Sequence, residues 1–159
     1  MSGARRNPDF PGNRTLPADR PLELAVPITV ETTDLDFAGI VSNIAYIRWL
    51  EHLRNRFFAR YADPMAWMED HIAAAVAETH IVYLRPVGPG TVLTGRIWAE
   101  EVRHVGVRMG VAVTDADLNP FALATQRVVT ADWQAMRPVR LPESLKYAWA
   151  ESQKPLAEV

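Results

Sequence analysis

The chain has 159 residues, a formal net charge of −2, 48% hydrophobic and 23% charged residues, and no cysteine. That length predicts one domain with a real core, and the charge balance leaves no basic footprint for nucleic acid or a membrane surface. Without cysteine there is no disulfide, no thiolate metal site and no cysteine nucleophile.

Residues 1–20 are rich in Arg, Asn and Pro and lack the apolar stretch of a secretory signal, so a solvated, mobile N-terminal tail is expected. No run approaches the roughly 18 apolar residues that a membrane span needs. These readings predict a cytoplasmic protein with a folded domain over 21–150 and a C-terminal tail over 151–159.

Leu22, Leu24, Val26, Ile28 and Val30 alternate with Glu23, Ala25, Pro27, Thr29 and Glu31, the period-two pattern of a half-buried strand. Pro27 cannot donate a ladder hydrogen bond and places that strand at an edge or a bulge. Thr33 to Ser42 breaks the alternation with two aspartates and a glycine, which predicts a shaped loop. Ser42 or Asn43 can cap a helix from about Ile44 to Tyr61. On that helix Tyr46, Leu50, Leu53 and Phe57 form a broad apolar stripe that requires a sheet to pack against. Asp63-Pro64 marks a short helix to about His71.

Four further strands are expected at Ala74–Arg85, Val92–Arg103, Val105–Thr114 and Phe121–Asp132. The clearest has Val105, Val107, Met109, Val111 and Val113 on one face. The short, turn-rich connections favour antiparallel neighbours. A brief helix follows Pro142. The order predicts an α+β domain, with a five-stranded antiparallel sheet wrapped around one long central helix.

The densest chemistry lies in Asp34-Leu35-Asp36-Phe37-Ala38-Gly39-Ile40-Val41-Ser42-Asn43, between the first strand and the long helix. The free N–H groups of a helix N-terminus can hold an anion or a developing oxyanion. A carboxylate beside them can attack a carbonyl or activate water. Such aspartates also serve simply as turn or capping residues, and the pattern alone leaves both roles open.

Asp34-x-Asp36-x-x-Gly39, then Val41, Asn43, Tyr46 and Glu51-x-x-Arg54, resembles the 4-hydroxybenzoyl-CoA thioesterase-like hotdog family. Tyr83-Leu84-Arg85-Pro86 before a Gly-containing turn and Met136-Arg137-Pro138 near the end are also similar, so the resemblance spans about Leu22 to Leu145. It implies a hotdog fold and hydrolysis of a small acyl- or aroyl-CoA thioester to free acid and CoA. It also implies a homodimer or homotetramer with the site at the dimer interface. Asp36 would be the catalytic nucleophile or general base, and the Tyr46 backbone N–H the oxyanion donor. Gly39, Val41, Asn43 and Trp49 are the substrate-binding candidates, with Trp49 also readable as core or interface. Many relatives carry His where Ile40 stands and Asn where Ser42 stands, which bears on pocket polarity and substrate class.

No cofactor is expected beyond coenzyme A as part of the substrate. His52, His71, His80 and His104 lack ligand spacing, so no metal is expected. Arg85, Arg103, Arg108, Arg137 and Arg140 are candidates for CoA phosphates. Glu51 is an alternative carboxylate or a helix-surface partner of Arg54, and Glu78 with His80 is a candidate rim pair. The absence of Gly-x-Ser-x-Gly argues against an α/β-hydrolase. The alternatives are a non-catalytic acyl-CoA-binding module and an enoyl-CoA hydratase or dehydratase. The latter would need a His near Val41.

Overall fold

Strands form where the side chains alternate, and the sheet they make is curled and antiparallel throughout. The computed structural model describes residues 15–154. Its strands are β1 (Leu24–Ile28), β2 (Ile72–Tyr83), β3 (Leu93–Val102), β4 (Gly106–Thr114), β5 (Pro120–Asp132) and β6 (Arg137–Pro138). Its α-helices are α1 (Asn43–Phe58), α2 (Pro64–Glu69) and α3 (Glu143–Ser152), with a 3₁₀ turn at Thr32–Asp34. The strand order is β1-β3-β4-β5-β2, and β6 pairs with β5.

The expectation of five strands is corrected to six. Only Ala131 and Asp132 of β5 pair with β6, through Pro138 and Arg137, and two residues are too few to leave an alternation in the sequence. The long helix α1 has two short companions, following Asp63 and Pro142 where the sequence places them. Asp63 caps α2, its carboxylate accepting from Met65 N–H at 3.0 Å ahead of Pro64 at the first helical position.

Element ends follow local hydrogen bonding. α1 stops before the expected Tyr61 because Arg60 and Tyr61 N–H turn to the carbonyls of Phe57 and Phe58, three residues back. β2 stops at Tyr83 because Leu84 and Arg85 N–H both fall on the Phe121 carbonyl, which breaks the ladder. β1 lies at the sheet edge, as Pro27 requires.

The inner face of the sheet carries the core. Ile97 and Ala99 of β3, Val107, Met109 and Val111 of β4, and Ala124 and Val128 of β5 pack with Leu50, Leu53 and Phe57 of α1. Fully burying one such side chain stabilises the fold by about 1.5–3 kcal/mol. Gly95 lets the helix come close: a Cβ there would sit 2.8 Å from Leu53 Cδ1. One polar chain crosses this interface. Arg54 Nη1 donates to Gln126 Oε1 at 3.2 Å, and Gln126 Nε2 donates to Thr79 Oγ1 at 3.1 Å.

On the outer face Trp98 covers Gly110 and joins Ala112 and Leu123. Leu16 packs partly buried against this cluster, and Arg20 Nε pairs with Glu23 at 3.0 Å. Residues 1–14 of the expected N-terminal tail and 155–159 of the expected C-terminal tail lie outside the described residues. α3 continues through Ser152, inside the stretch expected as the C-terminal tail. No helix among the described residues is long and apolar enough to cross a membrane.

Candidate active site

The two aspartates of the loop have opposite surroundings. Asp34 is 5% exposed. Its Oδ2 accepts from Glu31 N–H and its Oδ1 from Arg48 Nη2, both at 2.8 Å, while its carbonyl accepts from Ser42 N–H at 2.8 Å. It ties the end of the first strand to the start of α1. Asp36 is exposed, and only one of its carboxylate oxygens is engaged among the described residues, accepting from Ala38 N–H at 2.8 Å.

The segment between them and the helix closes on itself. Leu35 and Val41 form an isolated antiparallel bridge, and Asp36 N–H donates to the Ile40 carbonyl at 2.8 Å. Gly39 N–H donates to the Asp36 carbonyl at 3.0 Å, with Gly39 at φ +74°. Nothing lies within 4 Å of where its Cβ would be, so the positive φ, and not space, favours glycine there. Val41 N–H donates to the Val87 carbonyl at 2.8 Å, which pins the loop to the β2–β3 connection.

Ser42 is the N-cap of α1, its Oγ accepting from Ala45 N–H at 3.3 Å. Of the first-turn donors, Ser42 N–H is taken by Asp34 and Ala45 N–H by Ser42. Asn43 and Ile44 N–H remain, at the positive end of the helix dipole. These lie ahead of Tyr46, the residue whose N–H the resemblance implies as the oxyanion donor. Tyr46 is the fourth helical residue, one position past the donors of the first turn.

A cleft of about 220 Å³ opens here, lined by Ile40, Val41, Asn43, Tyr46, Tyr83 and Arg85, among others. The Tyr46 ring meets Tyr83 and Trp49 edge to face, with centroids 5.1 Å apart in both pairs. Burial pushes the Tyr46 hydroxyl above the ordinary phenol range, reinforced by Tyr83, so it stays protonated at neutral pH. Thus Val41, Asn43 and Tyr46 line one cleft, while Asp36 and Gly39 lie on the adjoining loop. Trp49 is not among the lining residues and packs on Tyr46 with the apolar cluster around Val41, Val87 and Leu93.

Of the candidate arginines, Arg85 lines the cleft. Its guanidinium lies 4.0 Å from the Phe121 ring centroid, and its N–H groups donate to the Asn119 and Pro120 carbonyls at 3.2 Å. Arg103 pairs with Glu101 and Arg108 with Glu100, away from it. Glu78 and His80 stand in register with Arg127 and Thr125 on the outer face, opposite α1. Among the described residues no group of three or more His, Asp or Glu side chains could hold a metal ion. Sequence reasoning missed two contacts, Arg48 with Asp34 and Tyr83 with Tyr46. Both span long separations and carry no local periodicity.

The curled sheet packed on α1, with the aspartate loop leading into that helix, is a hotdog-type domain. The model of the Thioesterase-like superfamily matches residues 30–149, and the chain belongs to that superfamily. No curated protein matches the sequence. Among solved structures, a thioesterase from Thermus thermophilus, complexed with coenzyme A and Zn, is 27% identical with a TM-score of 0.66. That match covers 78% of this chain and 94% of that one. A hypothetical protein from Staphylococcus aureus in complex with CoA is 16% identical with a TM-score of 0.76, covering 91% and 93%. A 1,4-dihydroxy-2-naphthoyl-CoA thioesterase from Synechocystis is 14% identical with a TM-score of 0.72, covering 84% and 99%.

Proposed function

We propose that this protein hydrolyses a small acyl- or aroyl-CoA thioester to the free acid and CoA, with Asp36 as the reacting carboxylate. The observation that carries the reading is an exposed aspartate with an unengaged oxygen, held by a closed loop beside a helix N-terminus with two uncommitted N–H groups. The thioester oxygen would sit against Asn43 and Ile44 N–H, where negative charge develops as the carbonyl is attacked. Two routes fit Asp36. As nucleophile it forms an acyl-aspartyl anhydride and expels the CoA thiolate, and water then cleaves the anhydride. As general base it takes a proton from the water that attacks directly. Gly39 keeps the turn that aims the carboxylate, and Val41, Asn43 and Tyr46 border the acyl group, with Trp49 supporting Tyr46. The CoA-bound thioesterase of similar fold supports CoA as the thiol half of the substrate.

A second copy of the chain completes this reading. β2 is a twelve-residue strand at the sheet edge, with Val76 exposed along it. Beside the site, Ile44 and Ile47 of α1 are 73% and 46% exposed. A long open edge next to apolar helix positions is a surface for pairing, here in a homodimer or a tetramer built from it.

The test is thiol release from a panel of aromatic and aliphatic acyl-CoAs, comparing the wild type with Asp36→Asn. Loss of about 10²-fold or more in kcat, with an unchanged melting temperature, is the expected result. Turnover retained in the variant would remove Asp36 from the reaction. Tight binding without turnover in the wild type would leave a binding module.

A further inference from the structure

A second concavity lies farther along α1. A groove of about 460 Å³ runs between α1, α2 and the start of β2, walled by Phe58, Trp67, Met68 and Ile72. Its volume is within the range of small-molecule pockets, and its walls are mainly apolar. Arg54 lines it and is 8% exposed. The acceptor for Arg54 is the neutral amide oxygen of Gln126, and its Nε is buried with no hydrogen-bond partner. The nearest carboxylate, that of Glu51, stands 3.9 Å from Nη2 on a side chain 63% exposed. A buried guanidinium without a hydrogen-bonded anion is costly unless something neutralises it.

We propose that this groove binds a carboxylate with an apolar body, the body against Trp67, Met68 and Phe58 and the carboxylate received by Arg54. The site is separate from the Asp36 cleft. Arg54 stands eleven positions along α1 from Asn43, about 16 Å at 1.5 Å per residue. Two sources present this chemistry, a free acid and the far-end carboxylate of an acyl chain long enough to reach from the cleft. The second rests on the thioesterase reading extended from small acyl groups to a long chain, whereas the first is measured without turnover, so the two readings fail separately.

The experiment is calorimetric titration of the full chain with octanoate and with octanol. Octanoate binds saturably, at least about tenfold tighter than octanol, because only it offers a charge-assisted bond to Arg54. Arg54→Met brings octanoate down to the level of octanol. Ala59→Trp, which fills the groove from an exposed wall position and leaves Arg54 in place, abolishes both. If Arg54→Met does not fold, the acid–alcohol ratio and Ala59→Trp decide the matter. Equal binding of acid and alcohol, no saturable binding, or binding unchanged in Ala59→Trp overturns the proposal and leaves the groove to a second copy or another partner. Where octanoate binds as expected, tetradecanoyl-CoA is compared with its ω-carboxyl analogue. A KM several-fold lower for the analogue, lost in Arg54→Met, makes the acyl terminus the source, and equal KM values make it a free acid.

Discussion

Asp34 and Asp36 have the same side chain and are one residue apart, yet the backbone gives them different work. Asp34 sits in the 3₁₀ turn with both oxygens engaged, while Asp36 sits after it with one oxygen unengaged. Glu23 shows the same dependence on surroundings. Burial opposes its ionisation, but hydrogen bonds and charge from Arg96 and Arg20 outweigh that and hold its carboxyl below the ordinary range. A carboxyl depressed in the folded state stabilises the fold above its unfolded pKa, and that contribution disappears as pH falls through the folded value. Glu23→Gln is therefore expected to lower stability at pH 7. In urea melts across pH, its gap to the wild type should narrow below about pH 4. A constant gap would mean that the Glu23 charge is not what the arginines hold.

At the scale of elements, α1 carries the most packing. Leu53 is 1% exposed and lies on Gly95, so Leu53→Ala opens a cavity that the backbone below cannot fill. The expected loss is about 2–5 kcal/mol, read as a lower denaturant midpoint with an unchanged slope. The stripe through Leu50, Leu53 and Phe57 was legible in the sequence because a 3.6-residue period survives burial. So was the inner face of β4, whose Val107, Met109, Val111 and Val113 are all buried. Asp36 and its loop were legible through the spacing of their motif. Which N–H groups of the first turn of α1 stay uncommitted was not, because the cap geometry of Ser42, and not residue identity, decides it. β6 and the Arg54–Gln126–Thr79 chain were also hidden. β6 has too few residues to leave an alternation, and the polar chain joins distant segments, Arg54 and Gln126 being 72 residues apart.

For the molecule as a whole, the two sheet edges are unequal. β1 is a five-residue edge strand containing Pro27, which is poor at recruiting another strand, whereas β2 is long. Pairing of copies through β2 predicts that Val76→Lys shifts the sedimentation profile toward the monomer. If the partner completes the site, turnover falls with the loss of dimer. An unchanged profile would move the interface elsewhere. The groove walled by Trp67 and the cleft at Asn43 lie toward opposite ends of α1, so one helix organises both concavities.

The loop's closure upon itself also governs how its amides meet solvent. Asp36, Gly39, Val41 and Ser42 N–H all donate to backbone carbonyls, and Ala38 N–H donates to a carboxylate. Although it contains no regular strand, the segment should behave in deuterium as a strand does. Val41 and Ser42 should exchange slowly, with protection factors comparable to core strands, beside a fast Phe37, whose side chain is fully exposed. Such a segment is already ordered before anything binds, so little entropy is lost there on docking.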